Sequence, residues 1–254
     1  MSMIDLTKKA RISLEKKGLA TETAEIGFVL DISGSMSRMF SGGTIQKVTE
    51  RLLGIGMNMD DNKQIEVFLF GEKAHKVRNA AEEGNITNYV RREVTSNYSF
   101  EGSTKYAPVM QLVRKQMLND EKSVNPITQE KSFFGRLFGK KEPVVNQEVI
   151  APANENKKPI FIFFVTDGDN FDQSQTEKLI KEYAHLPIFW QFIGVGNSTF
   201  SFLEQLDEMK GRFIDNANFF QVNDIDRITD EELYNRLLNE YPMWLKEART
   251  KGIL

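Results

Sequence analysis

Apolar residues fall along the chain in two alternating rhythms. Strand-length apolar runs occupy residues 25–30 (EIGFVL), 64–71 (QIEVFLFG), 159–169 (PIFIFFVTDGD) and 188–196 (IFWQFIGVG), with a short one at 218–222. Runs of this kind, closed by polar turns, read as strands buried on both faces. Between them the apolar positions return at helical spacing. Ile45, Val48, Leu52, Ile55 and Met59 predict one helix, in which Gly54 and Gly56 would allow close approach to a sheet. A second helix takes in Met110, Val113 and Met117, with Pro108 where a first turn tolerates proline. Further helices are predicted at 85–92, 173–184 and 199–209. A single closing helix at 230–249 would place Leu233, Leu237, Tyr241 and Trp244 on one face, and residues 74–78 would hairpin onto the second strand.

Two stretches lack a rhythm. Residues 1–23 are polar and basic, and scattered Ile4, Leu6, Ile12, Leu14 and Leu19 decide neither helix nor strand; they are taken as an N-terminal extension along the domain edge. Residues 119–158 carry prolines and no sustained period. A loop this long in a compact domain is functional or disordered, so a flexible insertion is expected there. The remainder, 24–254, alternates strand with helix. That predicts an α/β domain with a mainly parallel central sheet and helices on both faces.

Composition narrows the chemistry. The 254 residues are 40% hydrophobic, enough for one well-packed core. A net charge of -3 gives no field that would gather nucleic acid or an anionic membrane. The absence of cysteine excludes disulfides, thiolate metal sites and cysteine nucleophiles, and suits a reducing cytosol. The first 17 residues have no apolar signal core, and the apolar runs fall far short of the ~20 residues that span a bilayer. A cytoplasmic protein is the expectation.

Two of the predicted strands end in acidic, glycine-containing turns, Asp31-Ile32-Ser33-Gly34-Ser35 and Thr166-Asp167-Gly168-Asp169. Ligands of open parallel sheets collect beyond the strand C-termini, where the strand order reverses. If the two strands are neighbours, Asp31 and Asp167 converge. Ser33 and Ser35 add hydroxyls, and Thr104, in the loop before a helix, adds a third. In D-x-S-x-S the three side chains alternate and can share one side of an extended loop, with Gly34 permitting the turn. All are oxygen donors, suited to Mg²⁺, Mn²⁺ or Ca²⁺ rather than Zn²⁺.

Asp31, Ser33, Ser35, Thr104 and Asp167 resemble, in residue type and chain order, the metal-ion-dependent adhesion site of von Willebrand A domains, a Rossmann-like fold. The likeness spans roughly residues 24–222. The segments KARISLEKKGL, FVLDISGSMS, ERLLGIG, VFLFG, GSTKYAPVM and FVTDGDNFD are similar to the bacterial tellurium-resistance, TerF-type group of these proteins. That resemblance implies a cytoplasmic protein in a metal-stress or phage-defence setting and no particular biochemical activity; with no His-based triad, P-loop or carboxylate pair in the sequence, a metal-dependent protein-binding module rather than an enzyme is the expectation. The von Willebrand A likeness implies that Ser33, Ser35 and Thr104 ligate directly, and that Asp31 and Asp167 act through bound water. Neutral hydroxyl ligands leave the cation's charge largely unquenched, so a partner's Asp or Glu carboxylate would complete the coordination. Asp169 is an outer-shell or loop-capping candidate.

Other features carry less. His75 and His185 have no partner at metal spacing and are expected to be surface or hydrogen-bonded residues. Gly194 and Gly196 lack the rest of a dinucleotide fingerprint and read as a strand-end turn. Within 131–141 (KSFFGRLFGKK), Phe133, Phe134, Leu137 and Phe138 beside Arg136 could contact a partner or a membrane surface, and this defines one alternative, a scaffold working through the insertion. The other alternative is a metal-dependent phosphoesterase or hydrolase. A phosphatase nucleophile at a strand end usually has a second Asp two residues on, where this chain has Ser33.

Overall fold

The computed structural model describes residues 2–118 and 158–254. Among them six strands form one sheet: β1 (Glu25–Asp31), β2 (Glu66–Phe70), β3 (Ala74–Lys76), β4 (Ile160–Thr166), β5 (Ile188–Val195) and β6 (Ala217–Val222). Their order is β3-β2-β1-β4-β5-β6, with every pairing parallel except the β2–β3 hairpin at one edge. The fold is the expected α/β one.

The uninterrupted apolar runs follow from burial on both faces. Along β4, Phe161, Phe163 and Val165 enter one core while Ile160, Ile162 and Phe164 enter the other, as a two-residue side-chain period requires. The first core is closed by α1 (Met3–Lys16), α3 (Thr44–Met59), α7 (Asp230–Leu237) and α8 (Tyr241–Thr250). The second is closed by α4 (Ala107–Met117), α5 (Gln173–Tyr183) and α6 (Ser201–Asp207). The short α2 (Ser37–Ser41) follows the β1 loop. At the β6 edge, Asp207 accepts the Phe219 N–H and Arg236 donates to the Gln221 carbonyl. Both bonds cap groups that could otherwise template another strand.

One open reading is resolved and two expectations need correction. Residues 1–23 begin with a true helix, α1, whose Leu6, Ala10 and Leu14 are buried against α3 and α7. The closing helix is two: α7 ends at Leu237 and α8 restarts with Pro242 in its first turn, because a proline inside one continuous helix would clash with the carbonyl four residues back. The helix placed at 85–92 is instead a turn leading into a π-helical turn, Val90–Thr95. Phe133, Phe134, Arg136, Leu137 and Phe138 lie outside the described residues, as does the insertion apart from Lys158, which pairs with Asp61.

Candidate metal centre

Strand order reverses at the β1–β4 pair: β2 and β3 build outward on one side of β1, and β4, β5 and β6 on the other. The register sets Leu30 beside Val165, so Asp31 and Thr166 end the two strands side by side at the C-terminal edge. The crevice rule for open α/β sheets places ligands at such a reversal.

Asp31 is 0% exposed. Its Oδ1 accepts the Ser33 backbone N–H at 2.7 Å and its Oδ2 accepts the Thr166 hydroxyl at 2.7 Å. The first bond turns the chain so that the Ser33 and Ser35 hydroxyls meet at 3.0 Å, and Ser35 Oγ donates to Asp167 Oδ1 at 2.9 Å. Two strand ends are thereby joined through a row of oxygen atoms. Ser33, Ser35, Ser103, Thr104, Asp167 and Asp169 line a single cleft of about 400 Å³.

The supporting loops are tied down from behind. The Ile32 carbonyl accepts the Glu101 N–H and the Glu101 carbonyl accepts the Gly34 N–H, both at 2.9 Å. The Glu101 side chain in turn accepts the Lys73 N–H and pairs with His75 Nε2, each at 2.7 Å. Thr104 is fixed by the Phe171 N–H bonding its carbonyl at 2.9 Å. Asp172 accepts the backbone N–H groups of Tyr106 and Ala107 at 2.9 and 2.8 Å, supplying from another loop the cap that α4 lacks in its own sequence.

Burial pushes the Asp31 carboxyl up to about 6, against the lowering effect of its hydrogen bonds from Ser33 and Thr166, with Asp167 raising it further. Burial also raises Asp167 and Asp169. No lysine or arginine is among the described residues that line the cleft, so these carboxylates gather without a cationic side chain. No three of the described carboxylates and imidazoles cluster at metal-binding distance anywhere. A cation here would therefore depend on hydroxyls together with two carboxylates, a donor set that fits a hard divalent ion.

Ser33, Ser35 and Asp167 are thus linked by hydrogen bonds, Asp31 sits directly behind them, and Thr104 shares their cleft. Asp169 lines the cleft as well, and its Oδ1 accepts the Phe202 N–H at 3.2 Å. Gly34 is not needed for conformation: its φ is not positive and a Cβ would meet only the Glu101 carbonyl at 3.8 Å. Gly196 does take a positive φ of 98°, in keeping with a strand-end turn. His185 stacks on Phe213. The sequence reading missed Thr166, Glu101 and Asp172. Thr166 carried a signal in its place directly before Asp167, while the roles of Glu101 and Asp172 depend on contacts between distant loops.

Comparisons with known proteins agree with this architecture. The chain is 36% identical over 258 residues to YcbR, an uncharacterized protein of Bacillus subtilis (strain 168), covering 100% of this chain and 91% of YcbR. Proximal thread matrix protein 1 from the mussel byssus superposes with a TM-score of 0.53 at 15% identity, over 87% of this chain and 48% of its own. The chain thus spans about half of that protein, and the likeness shows the fold alone. The vWA-TerF-like family model, the vWA found in TerF C terminus, matches residues 23–129 and 119–254. With that match across nearly the whole length, the chain belongs to the vWA-TerF-like family of von Willebrand A domains.

Proposed function

We propose that this von Willebrand A domain is a divalent-metal-dependent protein-binding module of a tellurium-resistance or related stress-response system. In this reading the hydroxyls of Ser33, Ser35 and Thr104 hold Mg²⁺ (or Mn²⁺ or Ca²⁺), and Asp31 and Asp167 stand behind them. A bound cation would supply a positive charge that an Asp or Glu carboxylate of a partner protein could complete. The observation that carries the reading is the hydrogen-bonded row of Ser33, Ser35 and Asp167 oxygens at 3.0 and 2.9 Å, in a cleft whose described lining has no basic side chain.

The same geometry argues for binding over catalysis. Asp31 occupies the place of a phosphatase nucleophile, yet it is fully buried and both of its carboxylate oxygens accept protein hydrogen bonds. A nucleophile must reach its substrate, and this carboxylate is turned inward as a support. Among the described residues no helix is long and apolar enough to cross a membrane.

Titration with Mn²⁺ and Mg²⁺ tests the proposal. The wild-type chain is expected to bind one ion saturably, and Asp31→Ala and Asp167→Ala to weaken binding at least about tenfold, or ~1.4 kcal/mol, while keeping a folded far-UV spectrum. Pull-downs in Mg²⁺ should retain partners that EDTA releases. Unchanged ion affinity in both variants would sink the reading.

A further inference from the structure

Phe171 is 79% exposed, the most exposed large apolar side chain among the described residues. It lines the same cleft as Ser33, Ser35, Thr104 and Asp167. Its exposure is built in. The Phe171 N–H is bonded to the Thr104 carbonyl. On one side Asn170 is buried, with its amide donating to Asp172 Oδ1 at 2.5 Å and Thr176 Oγ1 at 2.8 Å. On the other, Asp172 caps α4 through two backbone bonds. The backbone at Phe171 is thus tied down on both sides, and its side chain leaves that backbone into solvent beside the oxygen row. By contrast Phe213, also exposed, is covered by the His185 ring and by the Lys251 ammonium.

Beside the oxygen row the cleft wall carries Asp169 as well as Asp167. A second acidic side chain on an incoming loop would meet these like charges, whereas an apolar one would lose water against a ring.

We propose that Phe171 is the specificity-determining contact of this site, and that the partner is a protein loop whose metal-completing Asp or Glu is directly flanked by an apolar side chain that packs on the Phe171 ring. This rests on the metal-dependent binding reading above. The ring touches no oxygen of the candidate site through a hydrogen bond, so Phe171→Ser leaves the ion-holding groups in place, and the backbone bond to Thr104 does not depend on the side chain.

A displayed peptide library with a fixed central Asp and randomised neighbours, selected on the full chain in Mn²⁺, tests this alongside direct Mn²⁺ titration. Expected is enrichment of Phe, Leu, Met, Trp or Tyr next to the Asp on the wild-type chain, lost on Phe171→Ser with Mn²⁺ affinity unchanged. A selected peptide should bind the variant about tenfold more weakly. Equal apolar enrichment on both chains overturns the inference, as does Asp-dependent selection with no neighbour preference, and both outcomes leave the metal reading standing. Failure to select any Mn²⁺-dependent peptide on a chain that binds Mn²⁺ also overturns it. A chain that binds no Mn²⁺ overturns both readings at once. A dimer dissolved by Phe171→Ser, with no peptide preference, would reassign the ring to self-association and overturn the inference.

Discussion

At the β1–β4 junction a single buried carboxylate bears on stability through its surroundings. Asp31 is a fully buried carboxylate beside Asp167, a charge of the same sign, and it accepts hydrogen bonds from a backbone N–H and a hydroxyl. Removing a carboxylate from water without a cation is costly, and two hydrogen bonds offset only part of that cost. Asn fills the same volume, keeps an oxygen for the Ser33 N–H, and offers its amide to the Thr166 hydroxyl. Asp31→Asn is therefore expected to raise the melting temperature in EDTA at pH 8, by an amount on the order of 2–4 °C for about 1 kcal/mol in a chain this size. On the proposed metal-binding reading, Mg²⁺ is expected to raise the wild-type melting temperature further and to leave that of Asp31→Asn unchanged. Thermal melts with and without Mg²⁺ check both halves, and a variant that melts lower than wild type in EDTA would show that the carboxylate is a structural asset in its own right.

At the scale of elements, legibility followed how completely an element is buried. β4 and β5 are apolar at nearly every position because both faces are covered, and an unbroken apolar run survives in any reading of the sequence. α1 is half-exposed and hides its stripe. Its buried positions are Leu6, Ala10, Ser13 and Leu14, two of them barely apolar, while the conspicuous Ile4 and Ile12 point outward. The α7–α8 break was legible in Pro242 but masked by the continuous placing of Leu233, Leu237, Tyr241 and Trp244, all of which are indeed buried. Of the five candidate residues, Asp31, Ser33, Ser35 and Asp167 stood out because turns at strand ends carry them, and Thr104 because it sits in the loop just before α4. The scaffold behind them did not, because Glu101 and Asp172 work across loops that only the folded chain brings together.

The glycines of α3 show the same limit, and yield a prediction. Gly56 does face the sheet side, where a Cβ would meet Ile65 at 2.5 Å. Gly54 instead admits another helix: a Cβ there would meet the Tyr234 hydroxyl at 2.8 Å and the backbone of Leu6 in α1 at 3.2 Å. Alanine gains ~1 kcal/mol of helix propensity over glycine, but pushing α1 off α3 costs about 1–3 kcal/mol and strains the Tyr234 bond to the Arg51 carbonyl. Gly54→Ala is expected to lower the urea midpoint. Gly84→Ala, where a Cβ meets nothing within 4 Å, should leave it nearly unchanged. A Gly54→Ala chain as stable as wild type would mean that α1 can shift freely.

Across the whole molecule, charge far from the cleft sets how stability varies with pH. The Arg212 side chain is only 4% exposed and bonds Asp215 at 2.7 Å and the Asp207 carbonyl at 2.8 Å. Asp207, Asp215 and Glu240 face this one guanidinium, with Glu208 and Glu247 adding negative charge nearby. Burial, then Asp207 and Asp215, pushes Glu240 up to about 7, with Arg212 opposing; burial likewise raises Asp207 to about 6. An acid whose folded pKa lies above its unfolded value keeps more protons when folded. Stability therefore falls as pH rises from the unfolded value near 4.5 to about 7, and is flat beyond. The buried Asp31 pulls in the same direction. Asp5 and Glu231 shift the opposite way but sit in water, where such interactions weigh little. The chain should thus melt at a higher temperature at pH 6 than at pH 8. Glu240→Gln, which removes the charge and keeps the shape, should raise the pH 8 melting temperature by something on the order of 1–3 °C and narrow the gap between the two pH values. Water still reaches Glu240, so the effect is modest. A gap that Glu240→Gln leaves untouched would place the pH dependence elsewhere, with the buried carboxylates at the β1–β4 junction next to be examined.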